Sequence, residues 1–126
     1  MGVISTSMDH ENNITIHAVK GEVTVQEIIH KIEEYMAGKP TRLILWDFTE
    51  GSINQIPSED FQILAETARK YADTRKGGKT ALVSQAQSEQ GLGRMLQSYL
   101  EMGKFQFEIR NFNSLEEAKQ WLGIEY

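Results

Sequence analysis

The residues with the widest chemical repertoire fall into two short segments. Asp47, Thr49, Glu50, Ser52, Asn54 and Ser58 occupy the first, and Ser84, Gln85, Gln87, Ser88 and Gln90 lead into Gly91-Leu92-Gly93-Arg94 in the second. The hydroxyls and carboxylates of the first segment could receive a phosphoryl group or contact a polar ligand. In the second, Gly91 and Gly93 in an early helical turn suit close approach by a backbone or a ligand. Arg94 stands near a helix N-terminus, where the dipole does not favour a cation, so it points to an anion or an ion pair. A plainer chemistry covers the same residues. Asp, Ser and Asn build turns by bonding nearby amides, Ser58 suits a helix cap, and paired glycines let a helix pack closely on a sheet.

Other constellations are ruled out by spacing. His10, His17 and His30 have no metal-ligand spacing and no pairing with an activated serine. The absence of cysteine removes disulfides, thiol catalysis and thiolate metal sites together. Glu33 and Glu34 are adjacent on a helix and diverge, so they do not form a carboxylate dyad. Gly77-Gly78-Lys79-Thr80 mimics the tail of a P-loop, but Asp73 occupies the place of its first glycine and the run leads into a strand. Neither a metal nor any other cofactor is expected. Arg69, Lys70, Arg75, Lys76 and Lys79 form a basic cluster that suits a helix C-terminus, with contact to an anionic membrane surface as the alternative.

These segments sit in a chain of 126 residues, one domain's length, with 40% hydrophobic and 25% charged residues. Thirteen Lys and Arg against eighteen Asp and Glu give a net charge of −5, which argues against nucleic acid as a partner. The longest apolar run, Leu43-Ile44-Leu45-Trp46, is far short of the roughly 20 residues of a membrane span. The N-terminus carries no secretory pattern, so a cytoplasmic location is expected. Met1 to Thr6 fits a loose myristoylation pattern, yet reads better as the start of a strand.

The elements that position the two segments follow from periodicity. Val3 to Met8 and Ile14 to Val19 read as a hairpin about the polar turn Asp9 to Asn13, with Ile14, Ile16 and Ala18 on the core side and His17 opposite. Thr24-Val25-Gln26-Glu27 has capping-box spacing and opens a helix through Ile28, Ile29, Ile32 and Met36. The continuous apolar run within Arg42 to Phe48 predicts a central strand covered on both faces, followed by a turn-rich stretch from Thr49 to Pro57. Ser58 then caps a helix with Phe61, Leu64, Ala65, Ala68 and Ala72 inward. A strand over 79–84 and a helix from about Ser88 to Met102 come next. An edge strand through Phe105, Phe107 and Ile109 follows, and a last helix is opened by the capping box Ser114-Leu115-Glu116-Glu117. The expected fold is one α/β domain over 1–126: a mostly parallel sheet of about five strands, an N-terminal hairpin and about four helices. Ligands of such sheets gather at the carboxyl ends of the strands, where both chemical segments lie.

This order resembles the SpoIIAA-like or STAS fold (sulphate transporter and anti-sigma-factor antagonist), which shares its outline with CRAL-TRIO lipid-binding domains. Ala81-Leu82-Val83, Gly91-Leu92-Gly93-Arg94-Met95, Phe112, Glu117-Ala118 and Trp121-Leu122 look like the pattern of small stand-alone bacterial STAS-like proteins of unassigned function. In anti-sigma-factor antagonists a strand ending in aspartate precedes an Asp-Ser-Ser-Gly segment whose serine is phosphorylated. Asp47 matches the aspartate, but the equivalent of the second feature is Ile56-Pro57-Ser58-Glu59-Asp60, where two carboxylates crowd Ser58 and repel phosphate. The resemblance therefore implies a non-enzymatic regulatory or protein-interaction module without the standard phospho-switch. Its binding residues would be Asp47, Thr49, Ser52, Ser58, Ser84, Gly91, Gly93 and Arg94. The alternative it implies is a carrier or sensor of a small apolar or lipid ligand, or peripheral membrane association. Homodimerisation through an edge strand or an exposed helix is compatible with either reading.

Overall fold

The computed structural model describes residues 2–9, 11–38, 41–52, 59–70, 78–84 and 108–124. Eight elements follow one another: β1 (Val3–Asp9), β2 (Ile14–Glu22), α1 (Val25–Ala37), β3 (Leu43–Ser52), α2 (Asp60–Lys70), β4 (Lys79–Val83), β5 (Glu108–Phe112) and α3 (Leu115–Leu122). They form a single five-stranded sheet in sequence order, with β1 antiparallel to β2 and every later pair parallel. The α/β class, the leading hairpin and the central place of β3 are as the periodicity predicts. Three helices are described. The helix expected over Ser88 to Met102, the capping position Ser58 and the strand residues Phe105 and Phe107 lie outside the described residues.

Local chemistry accounts for the boundaries. Asp9 closes the hairpin, its Oδ1 accepting from the amides of Glu11 (3.0 Å) and Asn12 (3.3 Å) while Oδ2 accepts from the Asn12 side chain at 2.7 Å. Asn13 takes the left-handed φ of 54° that asparagine tolerates. Thr24 and Glu27 complete the capping box of α1, each side chain satisfying the other's backbone amide. Ser114 accepts from the Glu117 amide at the start of α3, and Gly123, with φ 79°, ends that helix in the left-handed conformation.

The sheet is covered on both faces. Ile44, Trp46 and Phe48 of β3 pack with Val19 of β2, Val25, Ile28 and Tyr35 of α1 and Leu64 of α2. Leu43 and Leu45 point the other way and pack with Ile14, Ala81, Val83 and with Ala118 and Leu122 of α3. Two-sided cover corrects the reading of β2. His17 does not lie on an open face; it is 1% exposed and sits in the core beneath α1, beside the equally buried Thr15 and Val19. The alternation of β2 puts His17 opposite a single core side, but β2 is an interior strand beside β3, and α1 makes the face on which His17 lies a second core side.

β3 also differs from expectation. It continues through Ser52 instead of yielding to a turn at Thr49. Its register against β2 shifts: Ala18 pairs with Asp47 but Lys20 pairs with Glu50, so Phe48 and Thr49 together oppose the single residue Val19. This is a β-bulge on β3, and it carries the strand past a run of residues that composition alone assigns to a turn.

Candidate functional site at the carboxyl rim of the sheet

The four parallel strands bring their carboxyl ends to one rim, and the described candidate residues Asp47, Thr49, Ser52 and Ser84 all lie on it. Asp47 pairs in register with Ala18 on one side and Val83 on the other, so Ser84 follows the residue directly beside it. Ser84 is buried, and its amide donates to the carbonyl of Phe112 at 3.0 Å, extending the β4–β5 ladder by one bond. Ser52 closes β3, and its carbonyl accepts from Val23 at 3.3 Å where the chain turns into α1. Ser58, Gly91, Gly93 and Arg94, with Arg75 and Lys76 of the basic cluster, lie outside the described residues.

The bulge gives Asp47 and Thr49 their geometry. An extra residue in one strand leaves its amide without a ladder partner. Asp47 Oδ1 supplies that partner, accepting from the Thr49 amide at 2.9 Å and from the Thr49 hydroxyl at 2.7 Å. A charged acceptor makes strong hydrogen bonds of this kind, so the half-buried Asp47 fixes the backbone of the rim at the point where β3 outruns β4. Gly51 lies just beyond, and a Cβ there would come within 2.6 Å of Val19 Cγ1 and 2.7 Å of the Val19 carbonyl oxygen. Close backbone packing thus requires glycine at this position.

A second polar constellation lies inside the sheet's α1 face, and the sequence reading missed it. Thr6 Oγ1 is 2.9 Å from His17 Nδ1, and the His17 ring packs 4.3 Å from Trp46 and edge-on to Tyr35 at 5.7 Å between centroids. The Tyr35 hydroxyl donates to the Thr41 carbonyl at 2.9 Å and accepts from the Thr41 amide at 2.7 Å, while Thr41 Oγ1 lies 2.8 Å from Thr15 Oγ1. The available signal was Thr15 and His17 alternating with apolar residues on a strand adjacent to a doubly covered one.

A histidine beside a hydroxyl has the makings of a base and a nucleophile. Burial, followed by the nearby Lys31 ammonium, lowers the His17 pKa to about 4, so the imidazole is neutral and a weak base. Its ring is enclosed by aromatic side chains and the pair ties β1 to β2; the contact serves structure. Among the described residues no three His, Asp or Glu side chains gather into a group that could hold a metal ion. No described helix is long and apolar enough to cross a membrane. Lys79 of the basic cluster reaches inward, its Nζ donating to the Trp121 carbonyl at 3.2 Å and lying 5.1 Å from the Trp121 ring centroid.

No protein-family model and no curated protein sequence matches the chain. Among solved structures it is similar to an uncharacterized protein of the DUF3478 family with a SpoIIAA-like fold from Shewanella loihica PV-4. The TM-score is 0.59 at 17% identity, over 96% of this chain and 93% of that one. The fold is therefore SpoIIAA-like, as the order of elements implies.

Proposed function

We propose that this SpoIIAA-like domain is a non-enzymatic, cytoplasmic regulatory module that engages a protein partner at the carboxyl rim of its sheet. The observation that supports this reading is the bulge at Phe48 and Thr49, held by Asp47, which projects β3 beyond β4 and presents a shaped polar backbone next to Ser52. Bulges commonly re-aim side chains at functional rims, and this one occurs where parallel sheets bind their ligands. Ser58, Gly91, Gly93 and Arg94 belong to the same proposed surface through the segments that follow β3 and β4.

The test is native mass spectrometry of the full chain purified gently from its own cells, wild type beside Ser52→Arg. The wild type is expected to carry a polypeptide that the variant loses while retaining its melting temperature. Retention of the same polypeptide by both moves the contact away from the rim. A bare chain in both, even after extract is added back, overturns the reading, and an apolar small-molecule adduct replaces it with that of a ligand carrier.

A further inference from the structure

The two edges of the sheet are built differently. β5 is five residues long and carries the charges of Glu108 and Arg110, with the Arg110 guanidinium 5.5 Å from the Trp121 ring centroid. β1 is seven residues long, Val-Ile-Ser-Thr-Ser-Met-Asp, with no proline, lysine or arginine. It pairs with β2 in unbroken register from Val3 to Asp9, and no described strand lies beyond it. Val3 is 59% exposed and Met8 42%, and Ser5, Thr6 and Ser7 are exposed too. Long regular edges without charge or bulge are templates for strand addition, which soluble proteins ordinarily block.

We propose that β1 pairs antiparallel with β1 of a second copy of this chain, joining two sheets into one of ten strands about a two-fold axis at Thr6. The inner five residues of β1, Ile4 to Met8, match their own reverse. About that axis Ile4 lies opposite Met8, Ser5 opposite Ser7, Thr6 opposite Thr6 and Val3 opposite Asp9. The apolar pair falls on the face that α1 covers, where Ile4 already packs on the core, and the small serines fall on the other face. A two-fold interface makes every pair but the axial Thr6–Thr6 occur twice. The charge of β1 sets the direction. Asp9 is its single ionised residue, and antiparallel pairing separates the two copies of Asp9 by about 20 Å, beyond the screening length of roughly 8 Å at physiological salt. Parallel pairing would place them side by side. The Asp9 carboxylate is also turned back into its own hairpin, bonded to Glu11 and Asn12. This match of the strand to itself is the ground for taking a second copy as the occupant.

Sedimentation of the full chain across a concentration range provides the test. Wild type is expected at twice the 14.4 kDa chain mass. The double substitution Ser5→Lys with Ser7→Lys sets lysine opposite lysine twice and is expected to weaken dimerisation at least about tenfold. Ser5→Lys with Ser7→Glu sets opposite charges together and is expected to restore it. The register has its own readout, because the chain has no cysteine. A mixture of Ser5→Cys and Ser7→Cys chains should form disulfide-linked pairs between the two variants faster than either variant links to itself. Wild type that stays monomeric to its solubility limit overturns the proposal. So does a dimer that folded Ser5→Lys, Ser7→Lys chains leave intact, or crosslinking with no preference for the mixed pair.

Discussion

Thr6 Oγ1 and His17 Nδ1 lie 2.9 Å apart across directly opposed positions of β1 and β2. The bond joins an exposed threonine on an edge strand to an imidazole 1% exposed. Burial of that imidazole, and after it the nearby Lys31 ammonium, make folding sensitive to acid. The folded His17 pKa, about 4, lies below the ordinary 6.5, so between these values the unfolded chain binds the proton and the folded chain does not. Stability is complete above about pH 6.5 and falls as the pH drops towards 4. The single group contributes about 3 kcal/mol to the decline. Urea denaturation at pH 7 and pH 4.5 should show the loss in the wild type and a much smaller one in His17→Leu, whose side chain does not titrate. Parallel declines in the two proteins would place the acid sensitivity elsewhere.

Tyr35→Phe deletes one oxygen and strands two groups. The hydroxyl satisfies both the amide and the carbonyl of buried Thr41, which fixes the entry into β3. Leaving a buried polar group without its partner costs about 1–3 kcal/mol, so a loss of roughly 2–3 kcal/mol is expected in the denaturation midpoint at unchanged slope.

Gly51→Ala places a methyl against Val19, whose side chain is 1% exposed and has no room to withdraw. Overpacking of this kind costs about 1–3 kcal/mol. The diagnostic is its locality: hydrogen exchange should quicken in the paired ends of β2 and β3, at Lys20 to Glu22 and Glu50 to Ser52, before it does in β4.

Thr24→Ala removes the N-cap of the 13-residue α1 and half of a reciprocal capping box. About 1 kcal/mol is expected in thermal denaturation, and Thr24→Ser should recover most of it. Equal melting temperatures for Thr24→Ala and wild type would mean that packing of Val25 and Ile28 alone holds the helix start.

Much of this fold is written in local pattern. The apolar run of Leu43 to Trp46 announces a strand buried on both faces because no alternation survives there, and the spacing of Thr24 and Glu27 announces a helix start because two amides need two acceptors. The rim was harder to read. Thr49, Glu50, Gly51 and Ser52 have turn-forming composition, yet they remain in the sheet because the Asp47 carboxylate rescues the bulged Thr49 amide and pairing with β2 resumes at Lys20. A side chain two residues away overrode local propensity. The burial of His17 is not legible for the converse reason: period-two alternation places it opposite Ile14 and Ile16 but does not reveal whether that second face is open, and here α1 closes it.

The hairpin has a kinetic consequence. β1 and β2 are joined by a four-residue turn, whereas β2 meets β3 only after α1 and its connections have been traversed, with Ile14 finding Leu43. Loop closure costs least entropy where the ends are near in sequence, so the pairing closed by Asp9 is the one that forms without waiting for a crossover. Weakening that turn should therefore slow refolding more than it speeds unfolding. A strand with no buried residue in the native sheet would then be among the earliest to find its place.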